Sequence, residues 1–221
     1  MTMNLETYRA TYGSDDEAAP GWDAIDARLV EIYPDQEPKH WGTAISFMLG
    51  GPDPLDGISC YESAAGGIVH LHFVTYGFSS LYYDEKSVGG DFSRFGFELT
   101  FRLKPFASDA GEPIWVCNLL QNIARYVYES ERWFEAYHHL PAGGPIRADS
   151  DTDMTALALV PDPELDAVAT PHGRVEFLQL VGITEAEHEA IRTGVTSCEV
   201  LLGTLAQANP LWVTDLERRA G

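Results

Sequence analysis

His70 and His72 stand two residues apart in HLHFVTY, a run of β-branched and aromatic residues. On a strand that spacing turns both imidazoles to one face, where a third donor would complete a zinc shell; Cys60 is a conceivable third. The other reading is structural, with each ring hydrogen-bonded to its neighbours in a sheet. As a general base, either histidine would need a nucleophile and an oxyanion site that no motif supplies. Asp149, Asp151 and Asp153 begin like a calcium loop, but Met154 stands where that loop needs glycine and Val160 where it needs a bidentate glutamate. These alternating acids therefore read as a solvated loop. There is no GxGxxG, Walker loop, HExxH or GxSxG, and GFSSL at residues 77–81 lacks the closing glycine. Each absence weighs against an enzyme.

The elements that would position these residues follow from apolar spacing. Trp22, Ile25, Leu29, Ile32 and Tyr33 recur at steps of three and four, which predicts a helix over 20–33 that Pro34 and Pro38 end. Residues 43–49 read as a short buried strand leading into LGGPDPLDGIS, a rigid elbow. Gly50 and Gly51 admit unusual backbone angles, Pro52 and Pro54 fix φ, and Asp53 can bond its own backbone. Strands are expected over 58–62 and 69–76, with the turn signal Gly66-Gly67 between them. In 95–104 Phe95, Phe97, Leu99, Phe101 and Leu103 alternate with Gly96, Glu98, Thr100, Arg102 and Lys104, so one face should be core and the other wet.

Pro113 opens a central helix whose stripe of Val116, Leu119, Leu120, Ile123 and Val127 extends to about residue 134. Residues 136–153 are rich in Gly, Pro and Asp without periodicity, a connection either functional or disordered. Strands resume over 155–160 and 174–181, the latter apolar at both parities as an interior strand is. Thr184 and Glu187 form a capping box for a helix to about residue 193, and a last short helix or strand falls at 200–205. The fold class is α+β: a largely antiparallel or mixed sheet with helices packed on it. Residues 20–221 form one domain behind an N-terminal extension, 1–19, that is partly flexible.

With 45% apolar and 11% aromatic residues, the composition of the 221-residue chain is globular. No window reaches the ~18 apolar residues of a membrane helix, and the start lacks a basic stretch followed by an apolar one, so a cytoplasmic protein is expected. Thirty-four acids against fourteen bases give a net charge of −20. That field opposes nucleic acid and anionic lipid and speeds encounter with a basic partner, although acidity also serves solubility alone. Cys60, Cys117 and Cys198 are widely spaced, without a CxxC pair, and read as reduced core thiols.

Several segments together carry a resemblance: LGGPDPLDGIS, HLHFVTYGFSSLY, FGFELTFRLK, ARYVYESERWF, TPHGRVEFLQLVGIT and LWVTDLERR. In these the chain resembles the amino-terminal domain of the Suppressor of fused family, over about residues 20–219. The resemblance implies a non-enzymatic protein-binding module without a cofactor. In animals the family sequesters Gli-type transcription factors, and bacterial homologues of this length include immunity proteins of polymorphic toxin systems. An extended peptide lies along strands in the animal proteins. By correspondence, Tyr126 falls at a family tyrosine of that site, Phe134 at an aromatic position, and His138 where the family has an acid that pairs with a peptide histidine. A Gli-type peptide is thus disfavoured.

Tyr126 and Phe134 can equally pack inward, whereas Trp133 and Tyr137, four apart beside the long loop, are surface candidates. The partner-binding set is then Tyr126, Trp133, Phe134, Tyr137, His138, Asp149 and Asp151. The partner is a protein or peptide, a basic toxin among the candidates. Oligomeric state is left open, and a metal-dependent enzyme using His70 and His72 is the alternative.

Overall fold

A computed structural model describes residues 3–106, 111–148 and 150–219. Its organising element is an eight-stranded sheet: β1 (Lys39–Gly42), β2 (Gly57–Ser63), β3 (His70–Tyr76), β4 (Phe92–Leu103), β5 (His139–Pro141), β6 (Met154–Pro161), β7 (Val168–Thr170) and β8 (Gly173–Thr184). The strands run in the order β1-β2-β3-β4-β8-β6-β5, and β7 shares with β6 one side of the long β8. Pairing is antiparallel except between β4 and β8, which are parallel. The sheet is mixed and mostly antiparallel, as expected. Among the described residues five α-helices pack with it: α1 (Leu5–Tyr12), α2 (Pro20–Ile32), α3 (Ile114–Ser130), α4 (Glu185–Arg192) and α5 (Cys198–Ala206). No helix among the described residues is long and apolar enough to cross a membrane.

The apolar stripe of α3 (Val116, Leu120, Ile123, Ala124, Val127) packs on one face of the sheet against Phe73, Phe97, Leu99, Phe101 and Leu103. The other face is covered twice. Ile25, Leu29 and Tyr33 at the α2 end meet Tyr61, Val74, Tyr76 and Phe177, while Cys198 and Leu202 of α5 pack on Ala156, Ala158, Val181 and Ile183. All three cysteines are free and buried. The capping box at Thr184 and Glu187 forms as the sequence requires.

Between those two covered patches the expected wet face of β4 is dry. Glu98, Thr100 and Arg102 are fully buried. Arg102 is gripped by Asp162, with Nη1 donating to Oδ2 at 2.7 Å and Nη2 to Oδ1 at 3.0 Å, and Nη2 also donates to Glu164 at 2.9 Å. Thr100 donates to Asp162 Oδ2 at 2.6 Å. Glu98 accepts from Thr75 and Ser79 hydroxyls, both at 2.7 Å, and from the Gly77 and Ser79 amides at 3.0 and 2.9 Å. Alternation showed the periodicity correctly; the burying elements, α2 and the 162–165 turn, come from distant sequence.

Four further expectations change. Residues 43–49 form no strand: the strand lies earlier, at β1, and Ile45, Phe47 and Leu49 are exposed. The central helix stops at Ser130, and the 136–153 connection contains β5. Ahead of Pro20, within the stretch read as a partly flexible extension, α1 is docked by the buried Tyr8, whose hydroxyl sits 2.8 Å from His172 Nε2.

The Gly-Pro elbow holds α3 in place. Gly50 has φ +90°, and a side chain on Gly51 would collide with the Ile45 carbonyl. Gln121 of α3 then clamps Leu55 from both sides, accepting from its N–H at 3.1 Å and donating to its C=O at 3.0 Å, while Asp53 pairs with Arg125.

Candidate functional site

The end of α3 turns on Glu131, a C-terminal residue in the left-handed region at φ +55°. From there the chain doubles back and enters β5 through a bulge. The Tyr137 N–H donates to the Leu159 carbonyl at 2.7 Å and the Leu159 N–H to the His138 carbonyl at 2.9 Å, so two residues oppose one, and the first of them, Tyr137, has φ +68°. Glycine is the usual occupant of that bulge position.

This path opens a groove of about 650 Å³ lined by Tyr126, Trp133, Phe134, Tyr137, His138 and their neighbours Glu131, Arg132, Glu135 and His139. Trp133 is 59% exposed, Tyr126 44% and Tyr137 40%. Phe134 is half-buried and packs on the α3-side core, its ring 6.2 Å from Tyr126. Glu135 organises the polar rim: its carboxylate lies 3.4 Å from Trp133 Nε1 and 3.9 Å from His138 Nε2, and its N–H donates to His138 Nδ1 at 3.2 Å. His139 Nδ1 meets His188 Nε2 of α4 at 3.2 Å; burial, then the neighbouring His188 and His138, push the His139 pKa below its ordinary value.

A second depression of about 790 Å³ continues from the first across Glu131, Trp133, Phe134 and Glu135 to Phe92, Arg94 and Phe95, where β4 is bulged against β8. Sequence reasoning missed it. Gly96, with φ +83° between two phenylalanines of an alternating strand, was the available signal for a bulge.

Of the four non-glycine residues with left-handed φ among those described, Arg94, Glu131 and Tyr137 line these two depressions. Each such residue costs about 1–2 kcal/mol relative to a relaxed backbone. Accordingly, Glu131→Gly should raise the unfolding free energy by about 1 kcal/mol in urea titrations, since glycine suits this helix terminus. An unchanged or lowered value would show that no strain resides there.

The edge strand adds backbone groups. The Ala142 N–H donates to the Thr155 carbonyl, which makes 142/155 a hydrogen-bonded pair and, by alternation, Leu140/Leu157 another. The N–H and C=O of His139 therefore point away from β6, toward the open edge of the sheet.

The other sequence candidates lie elsewhere. Asp151 pairs with Arg219 at 3.2 Å, outside the groove, and Asp149 lies outside the described residues. His70 and His72 are buried on the α2 face, with His72 Nδ1 2.8 Å from the Tyr33 hydroxyl and Nε2 3.3 Å from Asp162 Oδ2. Cys60 pairs with Phe73 and Tyr61 with His72; cross-strand partners share a face, so the thiol points to the opposite side of the sheet and cannot join the histidines. Among the described residues no three His, Cys, Asp or Glu side chains are arranged to hold a metal ion.

The family model for Suppressor of fused protein matches residues 51–219. The chain is 37% identical over 209 residues to the Suppressor of fused homolog of Homo sapiens and 38% identical to that of Mus musculus; the match takes in 90% of this chain and 43% of each relative. It thus spans less than half the length of these curated relatives. Among solved structures, it aligns with one from a Sufu–Fu complex at TM-score 0.84 and 30% identity, covering 93% of both chains. Drosophila Suppressor of Fused aligns at TM-score 0.83 and 30% identity, over 92% of this chain and 51% of that one. A homologue from Neisseria gonorrhoeae, at TM-score 0.58 and 15% identity over 90% of this chain and 96% of that one, shares the fold. With most of its length matched by the family model, and its sheet and helices superposing on solved members, the chain belongs to the Suppressor of fused family.

Proposed function

We propose that the chain is a non-enzymatic module that binds an extended segment of a protein partner along β5, anchoring it in the aromatic groove. What carries this reading is the combination of exposed aromatic side chains with left-handed, non-glycine backbone at their base. A fold under selection for stability alone would relax those positions to glycine; retention of Tyr137 at a glycine-favouring bulge points to a use for its side chain. The outward-facing amide and carbonyl of His139 supply main-chain pairing, and Trp133, Tyr126 and Tyr137 supply anchors. A relative in a Sufu–Fu complex agrees with a partner-binding role. The charge of −20 favours a basic partner. A basic toxin is one such partner and would make the chain an immunity protein; another cellular protein would make it a sequestering factor.

Capture from lysate of the source cell tests this. The wild-type chain should retain a partner that the Trp133→Ala/Tyr137→Gly double variant holds more than tenfold less tightly, with the thermal melt preserved because both side chains are exposed and the glycine suits its φ. Equal retention by the two chains would place the site elsewhere.

A further inference from the structure

Resting on the groove reading, we propose that the second depression is a separate compartment for an arginine side chain of the partner. The faces of Trp133 and Phe92 that line it are open, with Phe92 56% exposed. Planar cations stack on such faces, and the protein already shows the arrangement beside it: the guanidinium of Arg94, which lines the depression with Phe95, lies 5.6 Å from the Phe95 ring centre and 4.5 Å from that of the neighbouring Tyr128. Arg94 is committed to that contact and leaves Trp133 and Phe92 open.

The charges at the rim select the same ligand. Glu131 and Glu135 line both depressions, and neither forms an ion pair with a lysine or arginine among the described residues. Glu176 also lines the second but is already matched by Arg174 at 3.1 Å, so it adds little net charge. Arg132 lines only the first depression, and the one cation that lines the second, Arg94, has its guanidinium over the Tyr128 and Phe95 rings, so the two unmatched carboxylates still outnumber it. An aromatic wall beneath two carboxylates suits a guanidinium better than an ammonium. The guanidinium is planar, more weakly hydrated, and able to stack while donating in its own plane to carboxylates. The second compartment shares Trp133 and Phe134 with the groove but is lined by none of the β5-side residues Tyr137, His138 and His139. The partner's arginine would therefore sit at a fixed offset from the residues paired with the edge strand.

Selection of random twelve-residue peptides displayed on phage, against the immobilised chain, tests the compartment. Enriched peptides should share one arginine at a constant offset from an apolar or aromatic position. In synthetic form, replacing that arginine by citrulline should weaken binding about fivefold. The Glu131→Gln/Glu135→Gln chain should show a similar loss. The Asp35→Asn/Glu37→Gln chain, altered at remote exposed acids, should bind as wild type does, which separates the compartment from general attraction to an acidic surface. Peptides that need Trp133 and Tyr137 but carry no fixed arginine, or that bind equally well with citrulline, would overturn this inference and leave the groove reading standing. Peptides indifferent to the Trp133→Ala/Tyr137→Gly change would overturn both.

Discussion

Replacing Asp162 by Asn should lower the unfolding free energy by about 3 to 5 kcal/mol, the range expected when one partner of a buried ion pair is lost. Arg102 and Asp162 are both fully shielded at the side chain, and Asp162 also accepts from Thr100 and from the amides of Glu164 and Leu165 at 2.9 and 3.0 Å. Burial alone would raise the Asp162 pKa, but hydrogen bonding from His72 and Arg102, together with the Arg102 charge, outweighs it and holds the carboxyl well below the usual carboxylate range. The amide keeps the shape and removes the charge, leaving a buried guanidinium answered only by the part-exposed Glu164. An Arg102→Met/Asp162→Leu chain, which removes both charges together, should recover much of the loss, because apolar replacement of a whole buried pair is often neutral. Denaturant titrations of the three chains decide the matter. A loss under about 1 kcal/mol for Asp162→Asn would mean that the seam contributes little.

Acid should destabilise the fold well before carboxylates titrate. His70, His72 and His172 are at most 1% exposed, and burial pushes each pKa below its ordinary value, helped at His72 by the Arg102 charge. His172 is held neutral on both sides: Nδ1 donates to the Ser80 carbonyl at 2.9 Å, and Nε2 faces the Tyr8 hydroxyl. In the unfolded chain these rings take up protons below about pH 6.5, while in the fold they do not until lower pH. Unfolding therefore binds protons in this window, and the stability that neutral histidines contribute is complete above about pH 6.5 and lost as pH falls toward their folded pKa values. Three such groups give a slope of up to about 4 kcal/mol per pH unit, at roughly 1.4 each. Asp162, with its pKa depressed, adds a further loss only below about pH 4. Urea midpoints at pH 7.5, 6.5 and 5.5 should drop steeply over the last interval; a flat profile would contradict neutral burial of the three rings.

Which parts of this were legible in the sequence depended on range. The α2 stripe, the α3 stripe and the capping box at Thr184 are local signals, and the structure places them within a few residues of their sequence bounds. The α3-side face of β4 was equally readable from its alternation. Its opposite face was misread as wet because Glu98, Thr100 and Arg102 are polar, and only residues about 20 to 60 positions away, Thr75 and Ser79 for Glu98 and Asp162 for Arg102, make their burial tolerable. α1 was invisible for a similar reason. LETYRATY is only eight residues long, and its anchor is a contact between Tyr8 and His172, 164 residues apart.

In the candidate site, the aromatic residues after α3 were legible by type and spacing, but their geometry was not. A helix drawn on to residue 134 keeps Trp133 and Phe134 on α3, whereas the left-handed Glu131 ends it and, with the bulge at Tyr137, sets these residues and Tyr137 around a groove. Asp151 was grouped with them by proximity in sequence, and its ion pair with Arg219 at the far end of the chain draws it away.

Hydrogen exchange of the chain with and without its captured partner, resolved at single amides, tests most directly whether β5 and the aromatic groove are where that partner sits. The outward-facing His139 amide should exchange readily in the free chain and become at least tenfold slower in the complex, together with amides of residues 131–138. Protection that appears elsewhere while the His139 amide exchanges at its free rate would contradict strand addition at this edge.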